Sequence, residues 1–133
     1  MSALFRMLNV RRTIGQTESE RGRSAEHKAL EALLAFFTHE SWICQPRQAT
    51  KHEDLRGIDI VVPTTDIGDL FLQIKSSFHG VEKFNRRQHR QMIAVVVVKP
   101  FESQEIIWKN LREALWKLRT QILEKRRRPD WEN

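Results

Sequence analysis

The chain has 133 residues, which is long enough for one domain with a real core and too short for two. Its net charge of +6 and its pI near 10.0 favour a polyanionic partner, with nucleic acid first and an anionic membrane surface second. The only cysteine, Cys44, excludes an intrachain disulfide and a cysteine-based zinc cluster, and it fits a cytoplasmic location. No apolar run approaches the roughly 18 residues that span a bilayer, so we expect no membrane insertion.

The first part of the chain predicts an arm and then a helix. Residues 1–23 are interpreted as a short amphipathic arm with a polar linker, and residues 24–133 as a single domain. Ser24 is the expected N-cap of a helix that ends near His39 and buries one stripe, formed by Leu30, Leu33, Leu34 and Phe37. Glu26 lies on that stripe, whereas Glu31 lies off it and should be solvated. A carboxylate on the core-facing side is either a functional group or a first-turn glutamate favoured by the helix dipole.

The centre of the chain predicts a β-hairpin. It follows a first strand over Trp42–Gln48 and a charged connection over Ala49–Arg56. Residues 57–63 and 70–75 are apolar, β-branched runs separated by a turn rich in Pro, Thr, Asp and Gly. Strand alternation places Asp59, Gln73 and Lys75 on one face of the hairpin. These groups form either a cross-strand salt bridge on a solvated face or a metal site in which Asp59 binds a divalent cation and Lys75 stabilises nearby negative charge.

The last third of the chain predicts a helix, a strand and a long helix. The first helix runs from Val81 to about Gln91, and Ile93–Val98 shows no alternation, which is typical of a strand covered on both sides. The long helix runs from about residue 103 to about residue 125, and its Trp108 and Trp116 are expected to complete the core or a dimer contact.

Two groups of cations are candidates for contacts with DNA phosphates. The alternative for the first group is an ordinary solvated helix face. The residues are Lys83, Arg86, Arg87 and Arg90 on the outer side of the Val81 helix, and Arg126, Arg127 and Arg128 in the C-terminal tail.

The element order is helix, strand, hairpin, helix, buried strand and helix, which predicts an α/β fold with a mixed central sheet. With its polar residues, this order resembles the PD-(D/E)XK nuclease superfamily, whose restriction-endonuclease-like core is αβββαβ. The likeness covers about residues 24–98 and leaves the C-terminal helix outside the core. Asp59 resembles the acid of the family's second strand, and Gln73-Ile74-Lys75 resembles its (D/E/Q)-x-Lys motif. Glu26 resembles the helix-one glutamate of archaeal Holliday junction resolvases and Mrr-like enzymes.

The resemblance implies a Mg²⁺-dependent DNA endonuclease, with Mn²⁺ able to replace Mg²⁺. Glu26, Asp59, Gln73 and Lys75 would be catalytic, and the cation would be held by Glu26, Asp59, the Ile74 carbonyl and the Gln73 amide. Such an enzyme would be structure-specific or would serve repair, recombination or restriction, as a homodimer or within a larger recombination or transposition complex. Gln73 stands where the family usually has an acid, as in Mrr-like nucleases and the cutting subunit of some transposases. The alternative is a catalytically inactive nuclease-fold protein that binds DNA or acts as an assembly module.

Overall fold

The computed structural model describes residues 22–77 and 92–127. The elements in chain order are a helix α1 over residues 22–36, a 3₁₀ turn Phe37–His39, strand β1 Arg47–Gln48, helix α2 Lys51–Leu55, strand β2 Ile60–Pro63, strand β3 Asp69–Lys75, strand β4 Ile93–Val97 and helix α3 Gln104–Arg127. The helix predicted from Val81 to Gln91 and the N-terminal arm lie outside the described residues.

The four strands form one mixed sheet in the order β1-β2-β3-β4. Strands β1, β2 and β3 are antiparallel neighbours, and β4 runs parallel to β3. The predicted hairpin and mixed sheet are thereby confirmed. Pro63 pairs with Asp69, so the hairpin turn centres on Asp66. Gly68 has a φ of 87°, a left-handed conformation that glycine adopts without a steric penalty.

Helix α1 buries a different face from the one predicted. Its buried residues are Ala25, Ala29, Ala32 and Leu33, whereas Leu34 is 44% exposed. Ser24 lies inside the helix, so it is not the N-cap. The prediction weighted large side chains and missed that three alanines let the helix lie close against the sheet. Glu31 is exposed, as expected.

The segment between α1 and β2 is less regular than predicted. Only Arg47–Gln48 joins the ladder, and Ile43 makes an isolated bridge to Thr64. The predicted charged connection contains helix α2. Thr50 and Glu53 form its capping box, in which each side chain accepts a hydrogen bond from the other residue's backbone N–H.

The core lies on the sheet face covered by α1 and α3. Strands β2, β3 and β4 supply buried residues such as Ile60, Leu72 and Val96, and Phe36 of α1 stacks on Trp108 of α3 with ring centroids 6.0 Å apart. Trp108 therefore completes the core, whereas Trp116 is 52% exposed. Within the described part of the chain, no helix combines the length and apolarity needed to cross a bilayer.

Strand β4 was predicted to be covered on both sides. It is the last strand of the described sheet, and among its five residues Val96 is buried while the other four are half-buried. Residues 22–77 and 92–127 therefore cover this strand only in part.

Candidate active site

Asp59 is positioned by an irregularity at the start of β2. Its backbone N–H donates to the Leu72 carbonyl at 2.8 Å, although Ile60 is already the ladder partner of Leu72. Two consecutive residues thus oppose one, as in a β-bulge, which interrupts alternation and re-aims a side chain. The Asp59 carboxylate accepts a hydrogen bond from the backbone N–H of Ile74 at 2.7 Å. Only 6% of Asp59 is exposed, so the carboxylate is held firmly at the edge of the core.

Glu26 meets Asp59 from helix α1. The two carboxyl groups lie close enough for each to change the pKa of the other, and both line one cavity. Glu26 and Asp59 thus meet as expected, whereas Lys75, which was expected with them, does not line the cavity. Their elements are far apart in sequence, so the contact depends on how α1 packs across the start of β2.

The electrostatics of the pair follow from its burial. Burial raises the pKa of Asp59 to about 7, against the opposing effect of the Ile74 N–H, and the charge of Glu26 adds to the increase. Burial also raises the pKa of Glu26, while the interaction with Asp59 and the charge of Lys75 act to lower it. The titration of each acid therefore depends on the charge of the other.

The carboxyl pair faces a cavity of about 330 Å³ between α1 and the β1–β2 edge. Besides Glu26 and Asp59, its lining consists of Arg23, His27, Leu30, Gln48 and Ile60. A cation, an imidazole and an amide thus lie beside two acids in one cavity. Clustering of polar groups with perturbed pKa values in one cavity is typical of a functional site.

Three of these lining residues were missed by the sequence analysis. Arg23 was assigned to the linker, yet it lies three residues before Glu26, a spacing that puts both on one helix face. Gln48 pairs with Ile60 and so lies next to Asp59. His27 forms an ion pair with Glu31, with Nε2 and Oε1 2.8 Å apart. Had the helix been predicted to start earlier, spacing alone would have placed Arg23 beside Glu26.

Gln73 and Lys75 lie near the carboxyl pair and do not line the cavity. Gln73 is 9% exposed, and its Oε1 has no hydrogen-bond donor among the described residues. A buried acceptor without a donor is costly. Lys75 is half-buried, and its charge acts on Glu26.

The candidate metal ligands near the carboxyl pair are oxygen atoms. Within residues 22–77 and 92–127, no three His, Cys, Asp or Glu side chains converge as metal ligands. Two carboxylates are present, together with the orphaned Gln73 Oε1. Because the Ile74 N–H points to Asp59, its carbonyl points to the same side of β3. The two carboxylates that line the cavity fit Mg²⁺, which is commonly bound by one or two carboxylates plus waters and substrate phosphates, whereas Gln73 does not line the cavity.

The predicted phosphate contacts are only partly covered by the described residues. Lys83, Arg86, Arg87, Arg90 and Arg128 lie outside them. Arg126 donates from Nη2 to the Ile67 carbonyl at 3.1 Å, which ties the end of α3 to the hairpin turn. Arg127 is exposed. Contact of these residues with DNA stays a prediction.

The raised pKa of Asp59 predicts a pH dependence of stability without metal. The folded state holds a proton that Asp59 in the unfolded chain releases near pH 3.8, so the free energy of unfolding should fall as the pH rises from there through about 7. The expected loss is on the order of 2–4 kcal/mol. Urea unfolding at several pH values measures it.

Asp59→Asn is the informative comparison for this pH dependence. Asparagine can donate to Glu26 and accept from Ile74, so it imitates protonated Asp59. The variant should gain stability over the wild type above about pH 7 and match it near pH 4. If the free energy of unfolding of the two proteins changed with pH in parallel, this would contradict the raised pKa of Asp59.

Comparisons with protein families, with characterised proteins and with solved structures find no match for this chain, so the interpretation of the site rests on its own residues and geometry.

Proposed function

We propose that this chain is a metal-dependent DNA nuclease with an αβββαβ, restriction-endonuclease-like core. The observation that carries the proposal is the Glu26–Asp59 pair, which brings an acid of the first helix to an acid at the start of the second strand in one cavity. Glu26 lies in α1 and Asp59 directly precedes β2, which supports the roles that the family resemblance implies. The element order and the mixed sheet support the same proposal.

A purely structural role explains only part of this arrangement. One oxygen of Asp59 satisfies the Ile74 N–H, which is a structural contact. That contact does not require a second acid, and bringing Glu26 against a buried carboxyl disfavours ionisation of both. A site that binds a cation gives both acids a reason to be there, because the cation offsets the charge of two neighbouring carboxylates.

Mg²⁺ would be held by Glu26, Asp59, the Ile74 carbonyl and the Gln73 amide oxygen, and Mn²⁺ should substitute for it. When bound, the cation supplies Lewis-acid chemistry to the phosphodiester and the attacking water. Lys75 contributes a positive charge near Glu26, where it would stabilise charge that develops on the phosphate in the transition state. The product is a hydrolysed DNA phosphodiester.

The cavity and the basic charge fit a nucleic-acid substrate. Arg23 lies in the cavity beside the acids, where its guanidinium can bind a phosphate oxygen. The net charge of +6 supports attraction to the DNA backbone. We propose a cytoplasmic enzyme of repair, recombination or restriction that acts alone, as a homodimer or in a larger recombination or transposition complex.

One observation favours a second candidate function. Gln73 takes the place of an acid, so only two carboxylates meet in the described part of the site. A nuclease-fold protein that has lost catalysis and only binds DNA, or organises an assembly, would have such a site. It would bind DNA without any dependence on Glu26.

A cleavage panel decides between the two. Duplex, branched and single-stranded DNA are incubated with the full chain in Mg²⁺, Mn²⁺ or EDTA. We expect at least one substrate to be cut with Mg²⁺ or Mn²⁺ and none with EDTA. Glu26→Gln should lower the rate at least about a hundredfold, since it removes one of the two anionic ligands.

Glu105→Gln is the matched control for the panel, because Glu105 is an exposed glutamate in the first turn of α3. It should cut at the wild-type rate. Wild-type protein that binds DNA and cuts nothing in the panel would establish the non-catalytic function instead.

A further inference from the structure

The outer edge of β4 has backbone groups that the sheet does not use. The Val98 N–H donates to the Lys75 carbonyl at 2.8 Å, so this residue points towards β3. Backbone groups of successive strand residues point to opposite sides, so those of Ile93, Val95 and Val97 point away from β3. Within the described residues, no strand pairs with this edge.

The composition of β4 is unusual for an edge strand. Residues 93–98 are all apolar and mostly β-branched, and the β3–β4 register runs without a bulge. Edge strands are normally protected from pairing by charged residues, proline or bulges. Strand β4 has none of these, so the edge is built to pair with another strand.

A groove of about 500 Å³ runs along this edge, between β4 and helix α3. All five residues of β4 line it on one side. The helix contributes a polar side that carries both signs of charge, through Glu113 and Lys117. Neither of these side chains has an ion-pair partner among the described residues.

We propose that a second copy of this chain docks in this groove, with the two β4 strands antiparallel about Val95. When two copies use the same edge, the contact has two-fold symmetry, and Ile93 of one copy lies opposite Val97 of the second copy. The two four-stranded sheets then form one continuous eight-stranded sheet. The unused backbone groups of both edges are satisfied by each other.

The charges on α3 favour a second copy over an unrelated strand. Glu113 and Lys117 lie two residues on either side of Leu115. The same two-fold axis brings the two α3 helices side by side and antiparallel, since both lie on the same face of the joined sheet. Both residues line the groove, so the second copy brings a Glu113 and a Lys117 of its own to the same contact. The groove is thus complementary to a second copy of itself, both in its charges and in the unused backbone groups of β4.

Sedimentation velocity of the full chain tests the interface. A dimer should be present and should dissociate on dilution between about 100 µM and about 1 µM. Val95→Pro removes an N–H that points away from β3, so it should leave the four-stranded sheet intact and weaken dimerisation at least about a hundredfold. Circular dichroism checks that the variant folds.

Charge exchange keeps the test decisive if Val95→Pro fails to fold. Lys117→Glu and Glu113→Lys should each weaken the dimer about tenfold, because each puts like charges together, and the double exchange should restore it. Lys109→Glu is the control, since Lys109 is exposed on the same helix outside the groove. A chain that is monomeric throughout, or a dimer that neither Val95→Pro nor the single exchanges weaken, would overturn the proposal. The readout needs no DNA cleavage, so it is independent of the proposed activity.

Discussion

Asp59→Asn protein should bind DNA at least as tightly as the wild type and should cut it at least about a thousandfold more slowly. The substitution removes an anion close to the expected scissile phosphate, which favours binding, and it removes an anionic ligand of the cation, which prevents hydrolysis. Asparagine can still accept the Ile74 N–H, so the start of β2 should keep its conformation. Single-turnover cleavage and fluorescence anisotropy on the same DNA measure the two quantities.

The same variant gives a test that does not depend on knowing the substrate. A cation that binds only the folded protein stabilises it by about 2.7 kcal/mol at a concentration of 100 Kd. Wild-type protein should therefore melt at a higher temperature in Mg²⁺ at about pH 8, whereas Asp59→Asn should not respond. Asp69→Asn, which changes an exposed aspartate of β3, should behave as the wild type. A wild-type melting temperature that neither Mg²⁺ nor Mn²⁺ changes would contradict a metal site.

The hairpin could be predicted because its physical signals are strong and local. Two apolar, β-branched runs and a turn with Gly68 leave few alternatives, and β2 and β3 pair across that turn. Periodicity placed Glu26 on a stripe of α1 that is not the face the helix buries, and Glu26 is half-buried beside that face. Its meeting with Asp59 followed from the family resemblance rather than from any local pattern.

The rest of the site depends on tertiary contacts that local patterns do not report. The bulge at Asp59 arises where two residues face Leu72, and no turn residue or glycine marks it. The face that α1 buries is made of alanines, which carry a weak periodic signal. Gln48 reaches the cavity only through the pairing of the two-residue strand β1 with β2.

The exposed edge of β4 shows a different limit of sequence reasoning. An unbroken apolar run is the same whether a strand is covered within its own chain or by a second chain. Ile93–Val97 was interpreted as the first case, and its partial exposure now favours the second. The position of the strand in the sheet, rather than its amino-acid composition, distinguishes a strand covered by its own chain from one covered by a second chain.

Lys75→Ala should separate binding from catalysis. In a nuclease this amine acts mainly on charge that develops in the transition state, so the variant should keep its affinity for DNA within about threefold. Cleavage should nevertheless fall roughly a hundred- to a thousandfold, the usual effect of losing one preorganised charge-stabilising group. Single-turnover rates with saturating enzyme, beside the Kd for uncut DNA in Ca²⁺, measure the two effects.

Lys109→Ala is the matched control for Lys75→Ala, because Lys109 is exposed on α3 and does not line the cavity. If Lys75 only screens the carboxyl pair, its removal should raise the pKa of Glu26 further and shift the pH profile of cleavage to higher pH without lowering the maximal rate. A lower maximal rate at every pH, with unchanged affinity for DNA, is the result expected of a group that acts on the transition state. A loss of DNA affinity equal to the loss of rate would instead make Lys75 a binding residue and contradict its catalytic role.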